Sequence, residues 1–129
     1  FLFGDDGKHA DFKKAYSAVL AAHELVKENL KAGMTGGDGD AIARNYLESK
    51  GYGKYFTHSL GHGIGLNIHE FPSVRKGGTD VLKNGMVFSD EPGVYLAGEY
   101  GVRIEDTVTL KDGKVSSFMH KTDRNLVIL

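Results

Sequence analysis

The 129-residue chain has no cysteine, no tryptophan and only two prolines, and its acids and bases nearly cancel at a net charge of -1. The missing cysteines exclude disulfides and thiolate ligands, so any metal would be held by His, Asp or Glu through nitrogen and oxygen. With charges of both signs interspersed, there is no basic face for a phosphate backbone and no polybasic run for anionic lipid, which speaks against nucleic-acid and membrane partners. No apolar run approaches the roughly 20 residues of a membrane span, and the N-terminus lacks a basic stretch leading into an apolar core. A cytoplasmic protein is the expectation. What the chain does have is ordinary globular composition, 40% hydrophobic and 26% charged, together with 18 glycines. Such a composition can build one buried core, and so many glycines point to tight turns and close backbone approaches.

From Lys8 to Lys31, apolar residues recur at Phe12, Ala15, Tyr16, Val19, Leu20, Val26 and Leu30. That spacing predicts one long amphipathic helix, with Gly33 as the stop just past its end. Thr35 and Asp38 form a capping pair for a second helix carrying Ala41, Ile42, Tyr46 and Leu47 and ending before Gly51. Because Gly36, Gly37 and Gly39 each weaken a first turn by up to about 1 kcal/mol relative to alanine, its regular part is expected from Asp40. Beyond Gly53 the texture changes to short β-prone runs, 55–60, 86–90, 102–110 and 115–118. Asp112-Gly113, between the last two, is a hairpin turn signal. No repeat, low-complexity tract or linker divides the chain, and two helices followed by a mainly antiparallel sheet is an α+β arrangement.

Chemistry concentrates in 56–70, where three of the six histidines, His58, His62 and His69, sit among Gly61, Gly63 and Gly65. The glycines allow backbone or substrate to approach His62 closely, and neutral imidazole is a common metal ligand. Single histidines are usually surface groups or satisfied core residues; three around one glycine rhythm are harder to explain that way. His69-Glu70 is followed by Phe71-Pro72-Ser73, which removes the second histidine of a zincin helix. The glycines have neither the lysine of a phosphate loop nor dinucleotide-binding spacing. Asp38-Gly39-Asp40 lacks the rest of a calcium loop, and neither Ser59 nor Ser89 sits in a nucleophile elbow.

Two carboxylate clusters follow, Asp90-Glu91 and Glu105-Asp106. Strand alternation puts Val87, Ser89 and Glu91 on one face, and Arg103 and Glu105 on one face of another strand, so two glutamates could share a cavity. Carboxylates brought together repel and are costly to bury unless cations neutralise them, the physical case for a metal rather than an empty acidic pocket; taken in isolation, Glu91 and Glu105 read as solvated or salt-bridged surface groups.

The runs His58-Ser59-Leu60-Gly61-His62-Gly63-Ile64-Gly65-Leu66 with His69-Glu70, then Asp90-Glu91-Pro92-Gly93-Val94-Tyr95, then Gly101-Val102-Arg103-Ile104-Glu105-Asp106 resemble the pita-bread metallopeptidases. The resemblance covers essentially the whole chain and is strongest to the Xaa-Pro branch, aminopeptidase P and prolidase. It implies the C-terminal half of a pita-bread fold, residues 1–129 forming part of a metallopeptidase catalytic domain whose N-terminal half is absent. It also implies that His62, Glu91 and Glu105 are metal ligands, with Glu105 bridging two divalent ions. Manganese or cobalt suits such an oxygen-rich site best, with zinc as an alternative. His58 and His69 would line the substrate pocket and stabilise the developing oxyanion, Glu91 would shuttle a proton, and Arg103 would order the carboxylates. The substrate would be a peptide with proline in second position. A methionine aminopeptidase-like enzyme and a non-catalytic pita-bread binding module are the alternatives, the second opposed by the intact His62, Glu91 and Glu105.

The family's other two ligands are aspartates preceding a segment similar to Phe1-Leu2-Phe3-Gly4. Asp5, Asp6 and Asp11 follow that segment and suit a helix start. The chain therefore reads as a fragment, inactive alone, that self-associates or pairs with the missing N-terminal half.

Overall fold

The computed structural model describes residues 9–119 and 122–128. Helix α1 spans Ala10–Asn29 and α2 Gly36–Ser49; a 3-10 turn, Gly53–Tyr55, leads to β1 (Gly61–Gly63), β2 (Glu70–Val74), β3 (Val87–Asp90), β4 (Gly93–Leu96), β5 (Tyr100–Arg103), β6 (Asp106–Lys111) and β7 (Lys114–Ser117). Five strands make one antiparallel sheet in the order β2-β1-β3-β6-β7, while β4 and β5 form a separate hairpin. The α+β expectation of two helices on an antiparallel sheet is met.

The apolar stripe of α1 is buried at Ala15, Val19 and Val26, with Ala18, Ala22 and His23 completing the face. It shares one core with Ala43 and Leu47 of α2 and with Val74, Phe88, Val108 and Leu110 of the sheet. Burying the valine, leucine and phenylalanine side chains of this core stabilises the fold by about 1.5–3 kcal/mol each. Lys8 and the N-terminal pair Asp5 and Asp6 lie outside the described residues. Asp11 is in the first turn of α1 and pairs with Lys14 in solvent, 3.1 Å away.

Helix α1 ends sooner than its sequence pattern, because Leu30 is already extended (ψ 132°). Gly33, at φ 95°, therefore serves the following turn, where its N–H donates to the Leu82 carbonyl. Helix α2 starts at Gly36, four residues before the expected Asp40. A reciprocal box accounts for this: Thr35 N–H donates to Asp38 Oδ2 (2.8 Å) and Asp38 N–H to Thr35 Oγ1 (3.1 Å). The N–H from Thr35 also holds the Asp38 carboxyl below its ordinary value. Gly36 is needed for proximity, since a Cβ there would stand 2.1 Å from the Ser73 carbonyl oxygen.

Two expected strands are corrected. Residues 55–60 form the end of the 3-10 turn and an irregular segment, because side chains of α2 take up backbone groups that a sheet partner would otherwise use: Arg44 donates to the carbonyls of Phe56 and His58, and Asp40 accepts from Leu60 N–H. The run 102–110 is divided between β5 and β6, which belong to different sheets, with Ile104 and Glu105 as the crossing. The hairpin signal is realised in full. Asp112 (φ 52°) and Gly113 (φ 79°) join β6 to β7 with the left-handed pair a type I′ turn requires.

Candidate active site

Strand β1 lies between β2 and β3, and its register with β2 shifts between His62 and Gly63. Such a bulge re-aims the side chain beside it. His62 N–H donates to Ser89 Oγ (3.0 Å), and ring Nδ1 stands 3.0 Å from the Gly63 carbonyl oxygen. A carbonyl only accepts, so Nδ1 carries a proton and, in the neutral ring, Nε2 presents its lone pair. That lone pair faces Glu91 Oε1 at 3.3 Å.

Glu91 follows β3 directly. Its carboxylate is almost buried, and Oε1 accepts from Ser89 Oγ at 2.9 Å, so strand alternation persists one residue beyond β3. The backbone is fixed by Glu91 N–H donating to the Leu60 carbonyl (2.9 Å). Arg103, at the end of β5, lies 3.9 Å from Glu91 Oε2 and 3.6 Å from Glu105 Oε2, and thus joins the two predicted glutamates. The guanidinium is held above its ordinary value first by Tyr95, then by Glu105 and Glu91. His69 is exposed, and its ring centroid lies 4.6 Å from that of His62.

His58 stands beside Tyr95, with the two ring centroids 5.5 Å apart. Its Nδ1 lies 2.8 Å from the Ser59 carbonyl, so Nε2 is again the bare nitrogen; it is buried without a partner. Ser89 and Tyr95 were not selected from the sequence as site residues. Ser89 was accessible to it, as a hydroxyl between Val87 and Glu91 on one strand face.

The predicted ligands are thus brought together unequally: His62 with Glu91 directly, and Glu105 only through Arg103. Among the described residues no three His, Asp or Glu side chains stand close enough to enclose a metal ion. The donor chemistry nevertheless fits one. A lone pair and a carboxylate oxygen facing each other at 3.3 Å repel unless a cation or proton lies between them.

Of the close approaches that the glycines around His62 allow, backbone makes the ones at Gly61 and Gly63. A Cβ on Gly61 would meet the Ser89 carbonyl oxygen at 1.8 Å, and one on Gly63 the Phe71 carbonyl oxygen at 2.0 Å. Beside the site, Ile64, Leu66, Ile68 and Phe71 are exposed. No helix among the described residues is long and apolar enough to cross a membrane.

The fold is shared with solved peptidases of the pita-bread class. The Xaa-Pro dipeptidase from Bacillus anthracis superposes with a TM-score of 0.88 at 42% identity, over 93% of this chain and 34% of that one. The X-Pro aminopeptidase from Thermotoga maritima gives 0.86 at 40% identity, over 93% of this chain and 34% of that one. In sequence, the Xaa-Pro dipeptidase of Pyrococcus horikoshii is 47% identical over 116 residues, 89% of this chain and 32% of the relative. Residues 1–112 match metallopeptidase family M24, and the chain belongs to that family. It spans about a third of the length of these relatives.

Proposed function

We propose that the longer protein to which this chain belongs hydrolyses Xaa-Pro peptide bonds with the help of divalent metal ions, and that residues 1–129 are a C-terminal part of its catalytic domain. The observation that carries this reading is the His62 Nε2–Glu91 Oε1 pair at 3.3 Å, with Nδ1 already committed to the Gly63 carbonyl. Relatives bearing the names Xaa-Pro dipeptidase and X-Pro aminopeptidase support the substrate class.

In this reading His62 and Glu91 hold metal from this chain, and Glu105 joins them when Arg103 yields its carboxylate. Two divalent ions, manganese or cobalt with zinc as the alternative, supply acidified water and charge neutralisation at the scissile carbonyl when bound. Ser89 keeps Oε1 of Glu91 oriented, and Glu91 takes up and returns a proton. His69, exposed beside His62, and His58 meet the peptide. With Nδ1 donating to Ser59, His58 has only Nε2, buried and unpartnered in this chain alone, to offer a substrate, and as an acceptor; it donates to an oxyanion only when both ring nitrogens carry protons. The protein acts in the cytoplasm, the rest of the longer chain covers the apolar surface at Ile64–Phe71, and the isolated chain is inactive.

The test is hydrolysis of a Xaa-Pro dipeptide and a longer Xaa-Pro peptide by the full-length protein, before and after chelation and with manganese restored. Loss on chelation and recovery with metal, with the matching Xaa-Ala peptide left intact, is the expected result. Chelator-resistant hydrolysis, or none under any metal, overturns the reading.

A further inference from the structure

Helix α2 reaches beneath the segment that carries His58. Asp40 is 1% exposed, and its carboxylate receives both arms of the Arg44 fork, Nε at 2.6 Å and one terminal nitrogen at 2.9 Å. The i, i+4 spacing puts both residues on one helix face. The terminal nitrogens of Arg44 also donate to the Phe56 carbonyl (2.9 Å) and the His58 carbonyl (2.8 Å), while Asp40 Oδ1 accepts from Leu60 N–H (3.0 Å). One ion pair therefore grips residues 56, 58 and 60.

The same guanidinium lies 4.2 Å over the Phe56 ring, and that ring meets the His58 imidazole edge-on with centroids 5.1 Å apart. His58 is thus fixed through its backbone by Arg44, through its ring by Phe56, and at Nδ1 by the Ser59 carbonyl. What remains is Nε2, buried and unpartnered, close to the position a Cβ on Gly93 would occupy (3.1 Å). A buried ion pair is often no more stabilising than well-packed apolar residues of the same volume, so its use here is better explained by placement than by stability.

We propose that Asp40 and Arg44 are positioning residues that hold the His58 ring in the place and tautomer, Nδ1 protonated and Nε2 bare, in which it serves the reaction. This rests on the reading that His58 meets the peptide. The buried pair acts through the segment 56–60 and touches neither substrate nor metal.

The experiment uses the full-length protein and a double-mutant cycle. Arg44→Lys keeps a charge beside Asp40 but cannot reach two carbonyls at once, and should lower kcat/KM for a Xaa-Pro dipeptide roughly 10- to 100-fold, mostly in kcat. In a His58→Ala background the same change should cost less than about twofold, because residues acting through one another are not additive. Manganese affinity, read by calorimetry, should be unchanged. Equal losses in both backgrounds, or no loss in either, overturn the proposal. If Arg44→Lys does not fold, the isosteric Asp40→Asn takes its place in the cycle. Nitrogen NMR of the His58 ring, in protein free of paramagnetic metal, gives a readout independent of turnover. Wild type should show Nδ1 protonated and Nε2 bare, and Arg44→Lys a mixture of tautomers; a wild-type ring protonated at Nε2 alone overturns the proposal. A protein that hydrolyses no Xaa-Pro peptide defeats the functional reading, while the tautomer still decides whether His58 is held as argued.

Discussion

Gly61→Ala tests whether the alternating glycines are there for the sheet or for the site. The new methyl group would stand 1.8 Å from the Ser89 carbonyl oxygen and 2.8 Å from its carbon, so β1 and β3 must part by about 1.2 Å before the contact is tolerable. Both obstructing atoms are backbone, in the middle of the sheet, where no rotamer change relieves them. The cost therefore falls at the top of the overpacking range, about 3 kcal/mol. At roughly 4 °C per kcal/mol for a domain of this size, the unfolding midpoint drops by about 12 °C. Parting these strands also lengthens the 3.0 Å bond from His62 N–H to Ser89 Oγ, so metal affinity falls together with stability. Gly65→Ala is the control. The three atoms nearest its methyl group would all belong to the Glu70 carboxylate, the movable end of a side chain (Oε2 at 2.0 Å), so the chain loses little beyond the Asn67–Glu70 bond, about 1 kcal/mol. Thermal unfolding followed by circular dichroism reads both. A Gly61→Ala midpoint within about 3 °C of wild type, or equal losses in the two variants, refutes the packing argument.

Ser89→Ala removes the hydroxyl that accepts from His62 N–H and donates to Glu91, and should weaken manganese binding by the full-length protein about 10- to 100-fold; unchanged calorimetric affinity would show that Glu91 needs no such guide. Asp90 is fully buried, 3.0 Å from His23, and burial pushes its carboxyl above the ordinary value of 3.8. The stability that the neutral acid contributes is present below the ordinary value and is lost as pH rises through the raised one, so Asp90→Asn should flatten the fall of the urea midpoint above about pH 4; an unchanged slope assigns it to another group. The isolated chain should self-associate through its exposed apolar edge, and Leu66→Glu should reduce this in sedimentation. A strictly monomeric wild-type chain at high concentration would show that this edge needs no cover.

The helices were legible because they obey local rules. The stripe from Phe12 to Leu30 and the Thr35–Asp38 box need only neighbouring residues, and the glycine-rich start of α2 survives because that box offsets the weak propensity of Gly36, Gly37 and Gly39. The Asp112-Gly113 turn was legible for the same reason. Strands β1, β4 and β2 were not anticipated: Gly61–Gly63 has no apolar alternation, and Gly93–Leu96 follows a proline. The division of 102–110 is invisible in composition, since Val102 and Val108 are both buried apolar residues and only the change of partner strand separates them.

The site was legible where side chains meet side chains. Arg103 does stand near both glutamates, 3.9 Å from Glu91 and 3.6 Å from Glu105, but Glu91 lies beyond its strand and Glu105 between two, so strand alternation alone does not place them. Side chains bonded to distant backbone leave a one-sided trace. Every residue offers the same carbonyl and N–H, so nothing about Phe56, His58 or Leu60 reveals that Arg44 and Asp40 are bonded to them. An acid and an arginine four apart on a helix are ordinarily an exposed ion pair worth about 0.3–0.5 kcal/mol, and this pair was not singled out from the sequence. Folded, its carboxylate is buried and its guanidinium makes four hydrogen bonds, two of them to the segment that presents His58. The same asymmetry explains why 55–60 reads as a strand: its β-prone residues are real, and the partner that displaces a neighbouring strand is a helix side chain. Where such a segment precedes a histidine cluster, an acid and an arginine four apart on the preceding helix are the residues to examine first.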